Sequence, residues 1–305
     1  MSAIFSVTVS VSATAGSRHL RRGPGGAKKS SRRSASSAFV RRGVAAARRT
    51  AVAASSASSD APLPILYDIP VSNNGARNRL IIYWKQLESS FAITNPSALG
   101  GIKSDEYMAL NPQGKMPLLV LPDGLALPES EVISQYICDA YSEVGPSLIP
   151  DDPETRAVAA LATRIHDVYI VPIQGAMYRG PMDIEARAEG IAQIAKQLDV
   201  IEGIMSLRTD GPFIAGAEPS TADAALFPTW VFIEHILPTH FGWTHGVFVN
   251  RPKTEAWWKA MCADTCGARV LEEVRGGLEA WEESGRFVKV GVEEHVKDTS
   301  HKWAH

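Results

Sequence analysis

The sequence predicts two folded parts in series: an α/β domain over residues 60–144 and an all-helical domain over 151–285. Residues 1–59 precede them as an unfolded leader, and 286–305 follow as a charged tail. Three observations carry this reading. Residues 111–141 read as turn, strand, hairpin, strand and helix. Residues 65–94 read as strand, helix and strand, which implies a right-handed parallel crossover. Beyond the Pro- and Gly-bearing linker 145–150, apolar residues recur only at the three- and four-residue spacing of helices.

The leader contains no Asp or Glu but nine Arg and two Lys among Ser, Ala, Gly and Val. No apolar run approaches the roughly 20 residues that a membrane span needs. Basic, Ser-rich and acid-free composition is that of an organelle transit peptide. The alternative is a basic arm for nucleic acid. Targeting is favoured because Ala and Ser dominate between the Arg pairs. Serine richness and Ala51-Val52-Ala53-Ala54 tilt the destination to the chloroplast, with the mitochondrion as alternative. Without the leader, 20 basic residues face 33 acidic ones, a net charge of −13. That balance excludes a nucleic-acid binder and an anionic membrane surface as partner. Roughly 245 residues remain, enough for two modest cores.

The α/β domain opens on Ile65-Leu66-Tyr67, a short buried strand. Pro70-Val71-Ser72-Asn73-Asn74-Gly75 is a loop of turn and cap residues. Leu80, Ile81, Tyr83, Trp84 and Leu87 mark the helix after it. Residues 72–75 therefore sit at a helix start, where unpaired N–H groups favour an anion. A thiolate is such an anion; a free thiol titrates near 8.5, and a hydroxyl donor with a helix N-terminus lowers that. Phe91 to Thr94 is a second strand, and Ser104 to Met108 a short helical turn.

Asn111-Pro112-Gln113-Gly114 is a turn, since Pro fixes φ and Gly permits φ > 0. Leu118 to Leu121 is a strand buried on both faces. Asp123-Gly124 turns into a second strand, Leu125 to Leu127, and Pro128-Glu129-Ser130-Glu131 opens a helix. Pro117 cannot donate to a ladder, so it belongs at the strand start. A cis bond there would turn the Met116 backbone outward for a peptide ligand. Ser130 offers a hydroxyl and first-turn N–H groups to a carboxylate, and Glu129 could hold an ammonium. One carboxylate, one ammonium and an extended backbone describe a γ-glutamyl peptide. The same residues also fit a plain turn, strand and helix cap.

In the helical half, Asp152 caps a helix with Pro153 at its first position. That helix runs toward Tyr178, with a kink expected at Pro172. Ile184 through Met205 keep helical spacing. Ser220-Thr221-Ala222-Asp223 starts a helix apolar nearly all round, hence buried. Ser220 and Asp223 can exchange hydrogen bonds as a capping box. Trp257, Trp258 and Met261 fit a further helix, and 270–281 another. Cys138, Cys262 and Cys266 form no disulfide framework. A metal site at Cys262 and Cys266 lacks a His pair, so none is expected. His295, His301 and His305 in the tail read as solvated.

Asn-Pro-x-Gly-Lys-x-Pro, then Asp-Gly, then Glu-Ser before an apolar helix, resembles the glutathione-binding half of the soluble glutathione S-transferases. The Ser-x-x-Asp box about 90 residues later matches the same family, and the resemblance covers residues 63–285. It implies a thioredoxin-like N-terminal domain followed by an all-α domain. It implies a cis Pro117, with the Met116 backbone pairing to the cysteinyl part of glutathione. Glu129 and Ser130 would take the γ-glutamyl end, and Lys115 and Lys103 would lie toward the glycine carboxylate. The loop Ser72-Asn73-Asn74-Gly75-Ala76-Arg77 is similar to serine-type loops, where an Arg follows the Ser, and to nu-like loops, where Asn contacts sulfur. Ser72 is the first catalytic candidate, Asn74 the second and Tyr67 the third. No Cys occupies the loop, which departs from the classes that form mixed disulfides.

His166, Tyr169, Met177, Tyr178 and Arg179 lie on the segment that faces the family's acceptor cleft, although each also fits core or interface. Tyr169 and Arg179 are the acceptor-site candidates. The resemblance implies a detoxifying transferase that joins glutathione, as co-substrate, to an apolar electrophile, with no metal. It implies a homodimer as well. Glutathione-dependent isomerisation or peroxide reduction, and a non-catalytic binding module, remain the alternatives.

Overall fold

The structure is a computed structural model that describes residues 62–207 and 211–305. The transit-peptide reading of 1–59 lies outside the described residues. Strands β1 (Ile65–Tyr67), β2 (Ala92–Thr94), β3 (Leu118–Val120) and β4 (Ala126–Pro128) form one sheet in the order β2-β1-β3-β4. β1 and β2 are parallel, while β3 is antiparallel to both β1 and β4. The parallel pair needs a crossover, which α1 (Asn73–Trp84) supplies. α2 (Asp105–Leu110), capped by Ser104, covers part of the way back, and α3 (Ser130–Ala140) follows β4. This is the expected thioredoxin-like order.

α1 begins at Asn73, so Asn73, Asn74 and Gly75 form its first turn rather than the expected loop. The cause is Ser72, whose Oγ accepts the Gly75 N–H at 3.1 Å and starts the helix early. Every residue of α1 except Asn74 is buried, because α3 covers one side and α6 and α8 of the helical half cover the other.

The helical half begins with α4 (Pro153–Ile165), capped by Asp152. The sequence predicts a single helix running toward Tyr178 with a kink at Pro172. Instead α4 gives way to a π turn at His166–Ile170 and a 3-10 turn at Gln174–Met177. The ladder widens where His166 and Asp167 turn their side chains to other elements. α5 (Ile184–Met205), α6 (Thr221–His240), α7 (Pro252–Ala263) and α8 (Thr265–Glu283) follow. α6 is buried along most of its length, from Ala222 to Ile233 without a break. Its capping box forms: Asp223 accepts from the backbone and hydroxyl of Ser220, and also from Ile214 N and Trp257 Nε1.

The tail is folded. α9 (Arg286–Lys289) and α10 (Val292–Val296) pack Phe287 and Val292 inward, and Trp303 is buried with its carbonyl on Trp243 Nε1. His295 is therefore not solvated as expected. It is half-buried and its Nδ1 accepts from Arg187 Nε at 3.0 Å, while burial and the Arg187 charge push its pKa down. His301 is also half-buried; His305 is exposed. A charge-rich composition hid three apolar anchors spaced too irregularly to show a helical face.

Candidate functional site

Strand register gathers the expected site at one end of the sheet. Tyr67 pairs with Leu118, and Leu118 pairs with Pro128. The residues just beyond those pairs, Asp68, Pro117 and Glu129, are therefore neighbours. From Asp68 the chain enters the start of α1; from Glu129 it enters α3. Two helix N-termini thus flank the Met116-Pro117 segment.

Ser72 is half-buried, and its Oγ accepts from the Gly75 N–H. Asn74 is half-buried in the first turn of α1. Beneath them lies Asp68, 3% exposed and paired with Arg79. Burial pushes the Asp68 carboxyl up to about 6, although Arg79, the Ile69 N–H and the Ser72 hydroxyl all favour its charge. The hydroxyl acts there without reaching hydrogen-bond geometry: Oδ1 of Asp68 has no partner among the described residues. Tyr67, the third candidate, lies instead in an apolar cluster, with its ring edge-on to Tyr107 at 6.3 Å.

The Met116–Pro117 bond is cis, as expected. The carbonyl of Lys115 just before it is held by Tyr107 Oη at 2.8 Å and Asn111 Nδ2 at 2.7 Å. Sequence reading did not single out these two supports, since a buried Tyr in a short helix looks like packing. Gly114, at φ 56°, lies under the side chain of Lys103, which brings Lys103 and Lys115 to one corner with both exposed.

Glu129 sits at φ 72° and ψ 116°, outside the regions a Glu ordinarily adopts. Its exposed carboxylate accepts from Gln113 Nε2 at 3.3 Å. The strained turn presents Ser130 as the first residue of α3, almost buried. Nη1 of Arg77 lies 3.5 Å from Ser130 Oγ and 3.0 Å from Asp167 Oδ1, and Nη2 pairs with Glu131. With Arg77 donating to its oxygen, the Ser130 hydroxyl retains a proton that it can donate. Burial lowers the pKa of Arg77, and Asp167 opposes that.

Tyr169 and Arg179 are both exposed. Tyr169 lies on the π turn two residues after the Asp167 that meets Arg77. The Arg179 guanidinium lies 5.7 Å from the Tyr178 ring. Met177 and Tyr178 are buried in the core, and His166 is buried within a polar network. A cavity of about 270 Å³ lies behind the loop, lined by Asp68, Ile69, Pro70, Arg79, Tyr83, Ile93 and Glu273. It contains none of the expected glutathione residues. Burial pushes the Cys138 thiol up to about 11, so it is a poor nucleophile.

Comparison with known proteins matches both halves. The family described as "Glutathione S-transferase, N-terminal domain" matches residues 66–146, and "Glutathione S-transferase, C-terminal domain" matches 184–260. The chain is similar to "Probable glutathione S-transferase BZ2" of Zea mays, 39% identical over 137 residues, which is 42% of this chain and 58% of that protein. It is 30% identical over 183 residues to "Glutathione S-transferase F10" of Arabidopsis thaliana, covering 55% of this chain and 79% of the relative. Its fold resembles the crystal structure of poplar glutathione transferase F1, with a TM-score of 0.58 and 23% identity over 71% of this chain and all of that one.

Proposed function

The chain belongs to the glutathione S-transferase family, and from that membership we propose that it joins the glutathione thiolate to an electrophilic, largely apolar small molecule. The observation that supports this most is the register that sets the α1 start, Met116-Pro117 and Glu129-Ser130 side by side. In this reading glutathione lies extended along Met116, as an added strand does. Ser130 and the first turn of α3 take the γ-glutamyl carboxylate, and Glu129 takes the ammonium. Lys103 and Lys115 face the glycine carboxylate.

The Ser72 hydroxyl donates to sulfur, with the Asn74 amide as second donor, at the N-terminus of α1. Stabilising the anion lowers the thiol pKa, and the proton leaves to solvent. The sulfur lone pair then forms the bond to the electrophilic carbon, and the leaving group departs with its electron pair. Proximity supplies much of the remaining gain. Tyr169 and Arg179 border the acceptor.

The homodimer and the plastid location belong to the same proposal. Exposed Val132 on α3 and Leu161 on α4 support an apolar contact between copies, and sedimentation of the full chain at a monomer mass would contradict it. Residues 1–59 fused to a fluorescent protein are expected to carry it into chloroplasts, and cytosolic fluorescence would contradict that. The activity is tested by adding a generic aromatic electrophile and glutathione to the full chain. Conjugate formed with saturation in both substrates is the expected result. Glutathione binding without turnover of any electrophile, peroxide or isomerisable substrate would leave only a binding module.

A further inference from the structure

A hydrogen-bonded chain ties the start of α1 to the helical half. Asn73, the residue after Ser72, has its Nδ2 2.7 Å from Gln174 Oε1 and 2.8 Å from Thr229 Oγ1. Thr229 Oγ1 is in turn 2.8 Å from His166 Nε2, and His166 Nδ1 is 2.8 Å from Asp167 Oδ1. Arg77 closes the chain on Asp167. Asn73, Gln174, Thr229 and His166 are all buried, and they come from α1, the 3-10 turn, α6 and the π turn.

Asp167 is the acceptor-only end. Burial alone would raise its pKa, but the His166 bond and the Arg77 charge outweigh burial and hold it down, so it is a carboxylate. His166 Nδ1 must therefore donate. Burial keeps the imidazole neutral, so Nε2 carries no proton and accepts. The partner that donates to it is the Thr229 hydroxyl, whose lone pair is then free to accept from Asn73. Thr229 must accept and donate at once, which only a hydroxyl can do there.

We propose that Thr229 and His166 are positioning residues for thiol activation: through Asn73 they fix the first turn of α1, and with it the Ser72 hydroxyl and the Asn74 amide. The inference rests on the reading of that turn as the thiol site. Asn73 is bonded by backbone to both candidates, and its side chain alone could rotate. Two bonds to two separate elements remove that freedom. The helical half thus sets the geometry of a donor carried by the α/β half, and neither Thr229 nor His166 touches the ligand.

The test uses the full chain with Thr229→Val, which keeps the shape and removes the hydroxyl, and Thr229→Ser, which keeps the hydroxyl. Thr229→Val is expected to hold KM for glutathione within about twofold while kcat falls about tenfold and the pKa of the bound thiol rises. Thr229→Ser is expected to restore kcat and the thiol pKa. In the ligand-free protein, the amide signals of Ser72, Asn74 and Gly75 should move in the Val variant and return in the Ser variant. In the parent, nitrogen NMR of His166 should show Nδ1 protonated and Nε2 bare. Unmoved amide signals with parental kcat in the Val variant would overturn the inference, and so would a protonated Nε2 in the parent. The amide and imidazole signals need no glutathione. A parent that leaves the thiol unshifted would therefore sink the proposed activity, while those signals still decide this inference.

Discussion

Asp68 follows β1 with its carboxylate laid against Gly75, where any Cβ would overlap it. The Gly75 backbone is ordinary helix, so the need for glycine here is one of space rather than of φ. Alanine would normally gain about 0.5–1 kcal/mol at a helical glycine. At Gly75 that gain is set against overlap with a buried carboxylate held in place by Arg79. Gly75→Ala is therefore expected to destabilise by about 1–3 kcal/mol despite the better helix former. Thermal unfolding checks this, and an unchanged or raised Tm would contradict it. At this scale the sequence was legible where chemistry is local. Ser72 is legible as a helix cap because its hydroxyl stands just before an apolar helix, and its Oγ accepts the Gly75 N–H. Thr229 and His166 were not assigned their role, since they are 63 positions apart and each looks unexceptional in its own helix. Only the packing of α6 against α1 and the π turn joins them.

In the proposed reaction, helix starts are the elements that carry the chemistry. α1 is capped by Ser72, which in the proposed reaction also donates to sulfur, so Ser72→Ala would confuse two losses. Ser72→Gly separates them, because glycine at a cap costs only a few tenths of a kcal/mol relative to serine. That variant is expected to keep a Tm close to the parent and to lose most of its thiol activation. A large fall in Tm would mean that the hydroxyl serves mainly the fold. Elements with a regular apolar stripe or a cap were read correctly: α1 apart from its start, α3, α5, and α6 with its Ser220–Asp223 box. The π turn at His166–Ile170 was not, because it arises from two polar side chains bonding outward, and a pattern of apolar spacing carries no trace of that. The tail carries no such stripe either: Phe287, Val292 and Trp303 anchor it one by one.

For the whole molecule, a polar seam beside the expected site joins the two halves. Arg77 and Asn73 on α1 reach Asp167, Gln174 and Thr229 in the helical half, while Ser130 and Glu131 meet Arg77 from α3. In the proposed reading, the residues for the thiol end and for the γ-glutamyl end of glutathione are tied together by the same set of bonds. The α/β order was legible because each strand and turn is short and local. The seam was not, because it is made between parts more than 50 residues apart. The measurement that tests the account most directly is the pKa of glutathione's thiol bound to the full chain, read by thiolate absorbance, with Ser72→Gly and Asn74→Ala alongside. A bound thiol near neutral pH in the parent, returning toward the free value of about 8.5 in one variant, is the predicted result and names the donor. Glutathione bound with an unshifted thiol in all three proteins, or not bound at all, would contradict it.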